Sequence, residues 1–145
     1  MKYRFPVVLM AALSGPAVAA PVPSLETTAA TICAANSKEP DREWEPTQAQ
    51  IRALEESLGS YFAGLPEARA SLPAPNVRYA RQYSGVVLDG RKLIHGRFYP
   101  STVPAPFFAK AGKCWVIYDG GNRYWDVYFD PETGKVVEHQ VNGVA

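Results

Sequence analysis

Between residues 47 and 65 the apolar positions recur every three or four residues, at Ile51, Leu54, Leu58, Tyr61, Phe62 and Leu65, while Arg52, Glu55 and Glu56 fall mainly on the other side. A repeat of 3.6 residues stacks such positions into one stripe, so the spacing predicts an amphipathic helix. Thr47 stands three residues before Gln50, the reciprocal capping arrangement, with Pro46 just outside it and Gly64 as a stop. A helix with one apolar stripe has to bury it against another element.

From Val77 onward the period changes. β-Branched and aromatic residues dominate, punctuated by turn signals. Asp89-Gly90 lies between Val86-Val87-Leu88 and Arg91-Lys92-Leu93-Ile94, and Asp-Gly is the preferred pair for a two-residue hairpin turn. A two-residue loop sets Val87 opposite Lys92, Gly85 opposite Ile94, Tyr83 opposite Gly96 and Arg81 opposite Phe98. One surface then carries Tyr79, Tyr83, Val87, Ile94 and Phe98 with two glycines among them, which points to close approach by a neighbouring helix or to a bulge.

Residues 100–113 hold Pro104 and Pro106 with Phe107 and Phe108, and cannot form a central strand. A strand over 114–118, a turn at Asp119-Gly120-Gly121-Asn122 and a strand over 123–129 follow. Asp130-Pro131-Glu132-Thr133-Gly134 then turns the chain into a last strand over 135–141. Ahead of the helix, residues 21–24 read as an extended leader, 25–35 as a short helix carrying Cys33, and 37–45 as a connection. The sum is α+β: one main amphipathic helix packed on an antiparallel sheet of about five strands, in the element order of cystatin-like folds.

The extreme N-terminus follows a different logic. Lys2 and Arg4 precede a mostly apolar run over 5–13, then Ser14, Gly15, Pro16 and Ala17-Val18-Ala19. Charged, greasy and small, in that order, is the pattern of a secretory signal cleaved after Ala19, with Val18-Ala19-Ala20 as an alternative site. The apolar run is too short for the roughly 20 residues of a bilayer-spanning helix. The chain is therefore expected to be periplasmic or secreted, without a transmembrane anchor. It divides into a signal over 1–19, a leader over 20–46 and a single domain over 47–145.

Of 145 residues, fifteen are Lys or Arg and fourteen Asp or Glu. Loss of Lys2 and Arg4 with the signal leaves thirteen against fourteen, a net charge of −1. The basic residues are scattered, which excludes the concentrated basic face that nucleic-acid binding requires. Two cysteines in an exported chain suggest one disulfide, Cys33 to Cys114, with two unpaired buried thiols as the alternative.

Function-bearing chemistry is sparse. If Tyr118 faces Arg123 across the glycine turn, one surface presents Cys114, Val116, Trp125, Val127 and Phe129 as core. The other presents Trp115, Ile117, Tyr124, Asp126 and Tyr128. An aromatic face with one acid in its middle suits a partner contact, since Trp and Tyr supply rigid area with a polar handle. The alternative is a face covered by the leader, by the Pro-rich loop with Phe107 and Phe108, or by a second subunit.

Asp119, Gly120, Gly121 and Asn122 could position a ligand through backbone N–H groups, or serve only as a hairpin turn. They resemble half a calcium loop but lack the alternating oxygen ligands and the distal glutamate. Ser84 falls opposite His95, yet no orienting acid or oxyanion hole is evident. His139 reads as packed or surface, and Cys114 as bridged rather than nucleophilic. No zinc-ligand spacing and no phosphate loop appear, so no cofactor, no metal and no enzymatic activity are expected.

Tyr79-Ala80-Arg81-Gln82-Tyr83-Ser84-Gly85, Gly90-Arg91-Lys92-Leu93-Ile94, Asp119-Gly120-Gly121 followed by Tyr124-Trp125-Asp126-Val127-Tyr128, and the closing Asn142-Gly143-Val144-Ala145 together resemble a group of short exported bacterial proteins of uncharacterised function. The resemblance covers the C-terminal half and implies secretion and a compact sheet domain. Residues 124–137, a strand, the Asp-Pro-Glu-Thr-Gly turn and Lys135-Val136-Val137, are similar to the hairpin of PepSY domains, which are associated with restraining secreted peptidases.

The expected function is that of a soluble exported interaction module, of inhibitor or immunity type, meeting an envelope or extracellular protein through the aromatic face and the Pro-rich loop. A small-ligand carrier with an apolar pocket between sheet and helix is the second reading, and a small envelope enzyme the third.

Overall fold

The structure is a computed structural model, and it describes residues 22–34, 43–66, 72–104, 112–114 and 116–143. The strands are β1 (Ser24–Ile32), β2 (Glu43–Trp44), β3 (Arg78–Leu88), β4 (Arg91–Pro100), β5 (Trp125–Asp130) and β6 (Lys135–Val141). A single helix, α1 (Gln48–Ala63), lies between β2 and β3. All strands join one sheet in the order β1-β3-β4-β5-β6, with β2 also paired to β3.

The helix forms where its stripe and caps place it. Thr47 accepts from the Gln50 backbone N–H, and the Gln50 side chain accepts from the Thr47 backbone N–H, closing the capping box. Ile51, Leu54, Leu58 and Phe62 are buried. They meet Tyr79 and Tyr83 of β3, Ile94 and Phe98 of β4, and Trp125, Val127 and Phe129 of β5. Phe98 and Trp125 stack face to face at 3.7 Å, and Phe62 and Tyr79 meet the Trp125 ring edge-on at 5.6 and 5.5 Å. Full burial of each such apolar side chain contributes roughly 1.5–3 kcal/mol, and the rings occupy the space between helix and sheet.

The β3–β4 hairpin has the predicted register: Val87 opposite Lys92, Gly85 opposite Ile94, Tyr83 opposite Gly96 and Arg81 opposite Phe98. Asp89 and Gly90 both have positive φ, 50° and 76°, as the primed turn demands. At Gly85 the close approach comes from a strand rather than the helix, because a Cβ there would collide with the carbonyl of Trp44 in β2. Asp130 organises the β5–β6 turn by accepting from the Glu132 and Thr133 N–H groups, and Gly134 takes the left-handed position.

Two expectations are corrected. The segment expected to be a short helix is β1, and it pairs in parallel with β3, so the sheet is mixed rather than wholly antiparallel. Thr27, Thr28 and Thr31 disfavour a helix through their β-branches. Leu25 and Ile32 pack against the core from the sheet edge. Residues 116–119 form no strand. The Asn142 side chain donates to the carbonyls of Ile117 and Asp119, at 2.6 and 3.1 Å, where a strand ladder would otherwise have supplied the partner.

The cysteine pairing is the expected one. Cys33, just past β1, is bridged to Cys114. Next to it Ala34 and Lys113 form a single parallel bridge, with the Ala34 N–H donating to Gly112 and the Cys114 N–H donating to Ala34.

Candidate functional site

Strand alternation sends Tyr79, Arg81 and Tyr83 toward the helix, and the intervening residues to the opposite face. Cross-strand register then builds that face in rows. Gln82 of β3 lies beside Arg97 of β4, which lies beside Asp126 of β5; one row along run Ser84, His95 and Tyr128. Ala80 and Tyr99 form a third pair. A polar row through the middle of a sheet is ordinary when solvent covers it. Here Gln82, Ser84, His95 and Tyr99 are buried.

Part of the cover is the segment after Cys114. Val116 and Ile117 are half-buried, and they line a small cavity together with Arg97, Tyr124, Asp126 and Asn142. The cavity holds ≈20 Å³, about the room one water molecule needs. Asn142 pins its wall through the two carbonyls named above, Gly121 donates to the Gly143 carbonyl at 2.9 Å, and Asn142 donates its backbone N–H to Tyr124. Tyr118 stands beyond the wall, 88% exposed.

Charge on this face is only partly compensated. His95 stacks on Tyr128, with ring centroids 4.4 Å apart, and its Nε2 lies 3.3 Å from Asp126 Oδ2. That contact meets the distance of an ion pair but lacks hydrogen-bond geometry, so Nε2 has no hydrogen-bond partner. Burial pushes His95 below the usual imidazole value; Asp126 acts upward and the Arg97 cation downward. Arg97 is pulled below the ordinary guanidinium range by burial, with Asp126, Tyr128 and Tyr118 opposing. It remains a cation at neutral pH. Its Nε and Nη1 are buried without any hydrogen bond, and so is Ser84 Oγ.

Of five buried side-chain polar atoms without a partner among the described residues, four belong to Ser84, His95 and Arg97 on this one face. A buried donor left without any partner costs about 1–3 kcal/mol, so these groups call for a partner beyond the side chains around them. A cluster of buried polar groups without partners marks a place where a ligand or a partner could supply them. The arrangement suits binding of an acceptor group. Ser84 and His95, opposite each other in the register, are not joined by a hydrogen bond from Ser84 Oγ. Among the described residues no three His, Cys, Asp or Glu side chains group as metal ligands.

Ile117, Tyr124, Asp126 and Tyr128, expected to share a face, are brought together with Arg97. Trp115, Phe107 and Phe108 lie outside the described residues. Asp119 and Gly120 are exposed in a loop, and Gly121 and Asn122 begin a 3-10 turn. That loop is tied to its own chain: the Gly121 N–H goes to Gly143, and Asn122 accepts from Ala74 through its carbonyl and donates to the Leu72 carbonyl through its side chain. Arg97 was missed by sequence reasoning. The signal was available, because the Asp89-Gly90 turn fixes parity and places Arg97 two residues from His95 on the same face.

Comparison with protein-family models, with curated proteins and with solved structures finds no match to this chain.

Proposed function

We propose that the chain is an exported binding module of the periplasm or extracellular space, and that it meets its partner through the sheet face opposite the helix. The observation that carries this reading is the concentration of unpartnered buried polar atoms at Ser84, His95 and Arg97, beside a cavity walled by the 116–118 segment. The half-buried rings of Tyr124 and Tyr128 and the exposed ring of Tyr118 frame it with contact area. Export is supported by the order of residues 1–19 and by the Cys33–Cys114 bridge, a bond that persists in oxidising compartments. Among the described residues no helix is long and apolar enough to cross a membrane.

A protein partner is favoured over an apolar small ligand held between sheet and helix, because aromatic rings already occupy that space. The test is cross-linking of the mature protein in an envelope extract, with wild type beside a Tyr118→Ser/Tyr124→Ser variant. The expected result is a partner recovered by wild type and lost by the variant, whose melting temperature stays within a few degrees. Equal recovery of every partner by both proteins would overturn the proposed face.

A further inference from the structure

We infer that the cavity beside Arg97 receives a carboxylate group, so that the site selects ligands or partner segments presenting one. This rests on the reading of the face as a binding surface and adds the chemistry it recognises. A guanidinium carries donors only, so the unpartnered Nε and Nη1 call for an oxygen acceptor. In a site withdrawn from water a charged acceptor returns more than a neutral one, because the cation's lost hydration is replaced by Coulomb attraction at low dielectric.

Asp126, the acid in the same row, does not fill this role, since no hydrogen bond reaches Nε or Nη1. Its carboxylate is directed at His95, 3.3 Å away. Asp126 also lines the cavity, and this selects among anions. A dianion such as phosphate would meet a fixed negative charge at the wall, whereas a single carboxylate brings half the repulsion for the same pairing with Arg97. The space beside Arg97 is small, ≈20 Å³, so the charge of Asp126 at its wall lies close to whatever enters. Val116 and Ile117 offer an apolar wall to whatever carbon the carboxylate is attached to.

The carboxylate has two sources, a free small acid or an Asp, Glu or C-terminal group of a peptide chain, and the experiment separates them. In the mature, oxidised protein the Arg97 Nε–H resonance is followed by NMR while acetate, phosphate, Ac-Gly-Glu-Gly-NH2 and its Gln counterpart are titrated at constant ionic strength. Saturable displacement of that resonance by acetate and by the Glu peptide, with at least tenfold weaker response to phosphate and to the Gln peptide, is the expected result. Response to acetate alone assigns the site to free acids, and response to the Glu peptide alone assigns it to a chain-borne group.

An Arg97→Met variant should lose the response, read from Val116 and Ile117 methyl shifts; the wild-type titration stands by itself if that variant fails to fold. Absence of a saturable response to any carboxylate, or equal response to phosphate, overturns the inference. The two failures are distinguishable. Silent titrations with a partner still lost in Tyr118→Ser/Tyr124→Ser remove only the carboxylate, while unchanged partner recovery removes the binding face.

Discussion

His95 shows at the scale of one residue how the far face couples charge to stability. Its ring is sandwiched into the sheet between Ser84 and Tyr128, with Asp126 and Arg97 as the charged neighbours. Burial, the largest influence, holds its pKa below the imidazole value of 6.5. Between that depressed value and 6.5 the unfolded chain binds a proton that the folded chain does not. By linkage, stability is then highest above about pH 6.5, falls as pH drops through this window, and levels off below the folded pKa. The melting temperature of wild type is expected to fall between pH 7.5 and 5.5 more steeply than that of His95→Gln, as followed by calorimetry. His139 is common to both proteins and drops out of the comparison. Parallel slopes would show that His95 does not titrate differently in the two states.

At the scale of elements, α1 and β3 are joined by more than apolar packing. Glu55 Oε1 accepts from Arg81 Nε at 2.8 Å and from Tyr83 OH at 2.7 Å, and Arg81 reaches on to the Glu26 carbonyl of β1. One helical carboxylate thus ties two residues on the same face of β3. The Arg81 side chain is 7% exposed, so removing its counter-charge leaves a buried cation, while partial exposure of Glu55 moderates the loss. Glu55→Ala is expected to cost about 1.5–3 kcal/mol, the range for hydrogen bonds to charged groups, measured by urea denaturation. In a double-mutant cycle with Arg81→Met the two losses should be less than additive. Simple additivity would show that the pair is not coupled.

The same elements show what a chain reveals about itself. α1 and the β3–β4 hairpin are legible because their determinants are local: a stripe and capping box within one segment, and a turn whose two residues fix every cross-strand pair after it. β1 is not legible. It pairs with residues about fifty positions away, as Ile32 with Tyr83 does, and no turn connects the two. Residues 116–118 have the β-branched and aromatic composition of a strand, but no ladder forms there and the Asn142 side chain donates to the carbonyls of Ile117 and Asp119. Asp126 and Tyr128 could be assigned to the far face from parity alone. That Arg97 Nε and Nη1 would be buried without a hydrogen bond depends on how residues 116–118 lie beside it, which no local pattern encodes.

For the whole molecule the decisive long-range tie is the Cys33–Cys114 bridge. It joins the end of the one parallel strand to the start of the segment that walls the Arg97 cavity, across a separation of 81 residues. Little else in the described residues holds these two parts together: the Ala34–Lys113 bridge is a single isolated pairing. A cross-link of that span removes much conformational freedom from the unfolded chain, worth about 4–5 kcal/mol at most in the chain-entropy treatment. Reduction is therefore expected to lower the free energy of unfolding by up to that amount, read as a fall in urea midpoint with dithiothreitol present. The loss should be uneven, because the far end of the wall keeps its Asn142 and Gly143 anchors whether or not the bridge is intact. Under reduction, backbone amide exchange should accelerate at Cys33, Ala34 and Cys114 well before it does at Gly121 and Asn142. Uniform acceleration across both groups would mean that the bridge stabilises only through the unfolded chain and does not hold the wall in place.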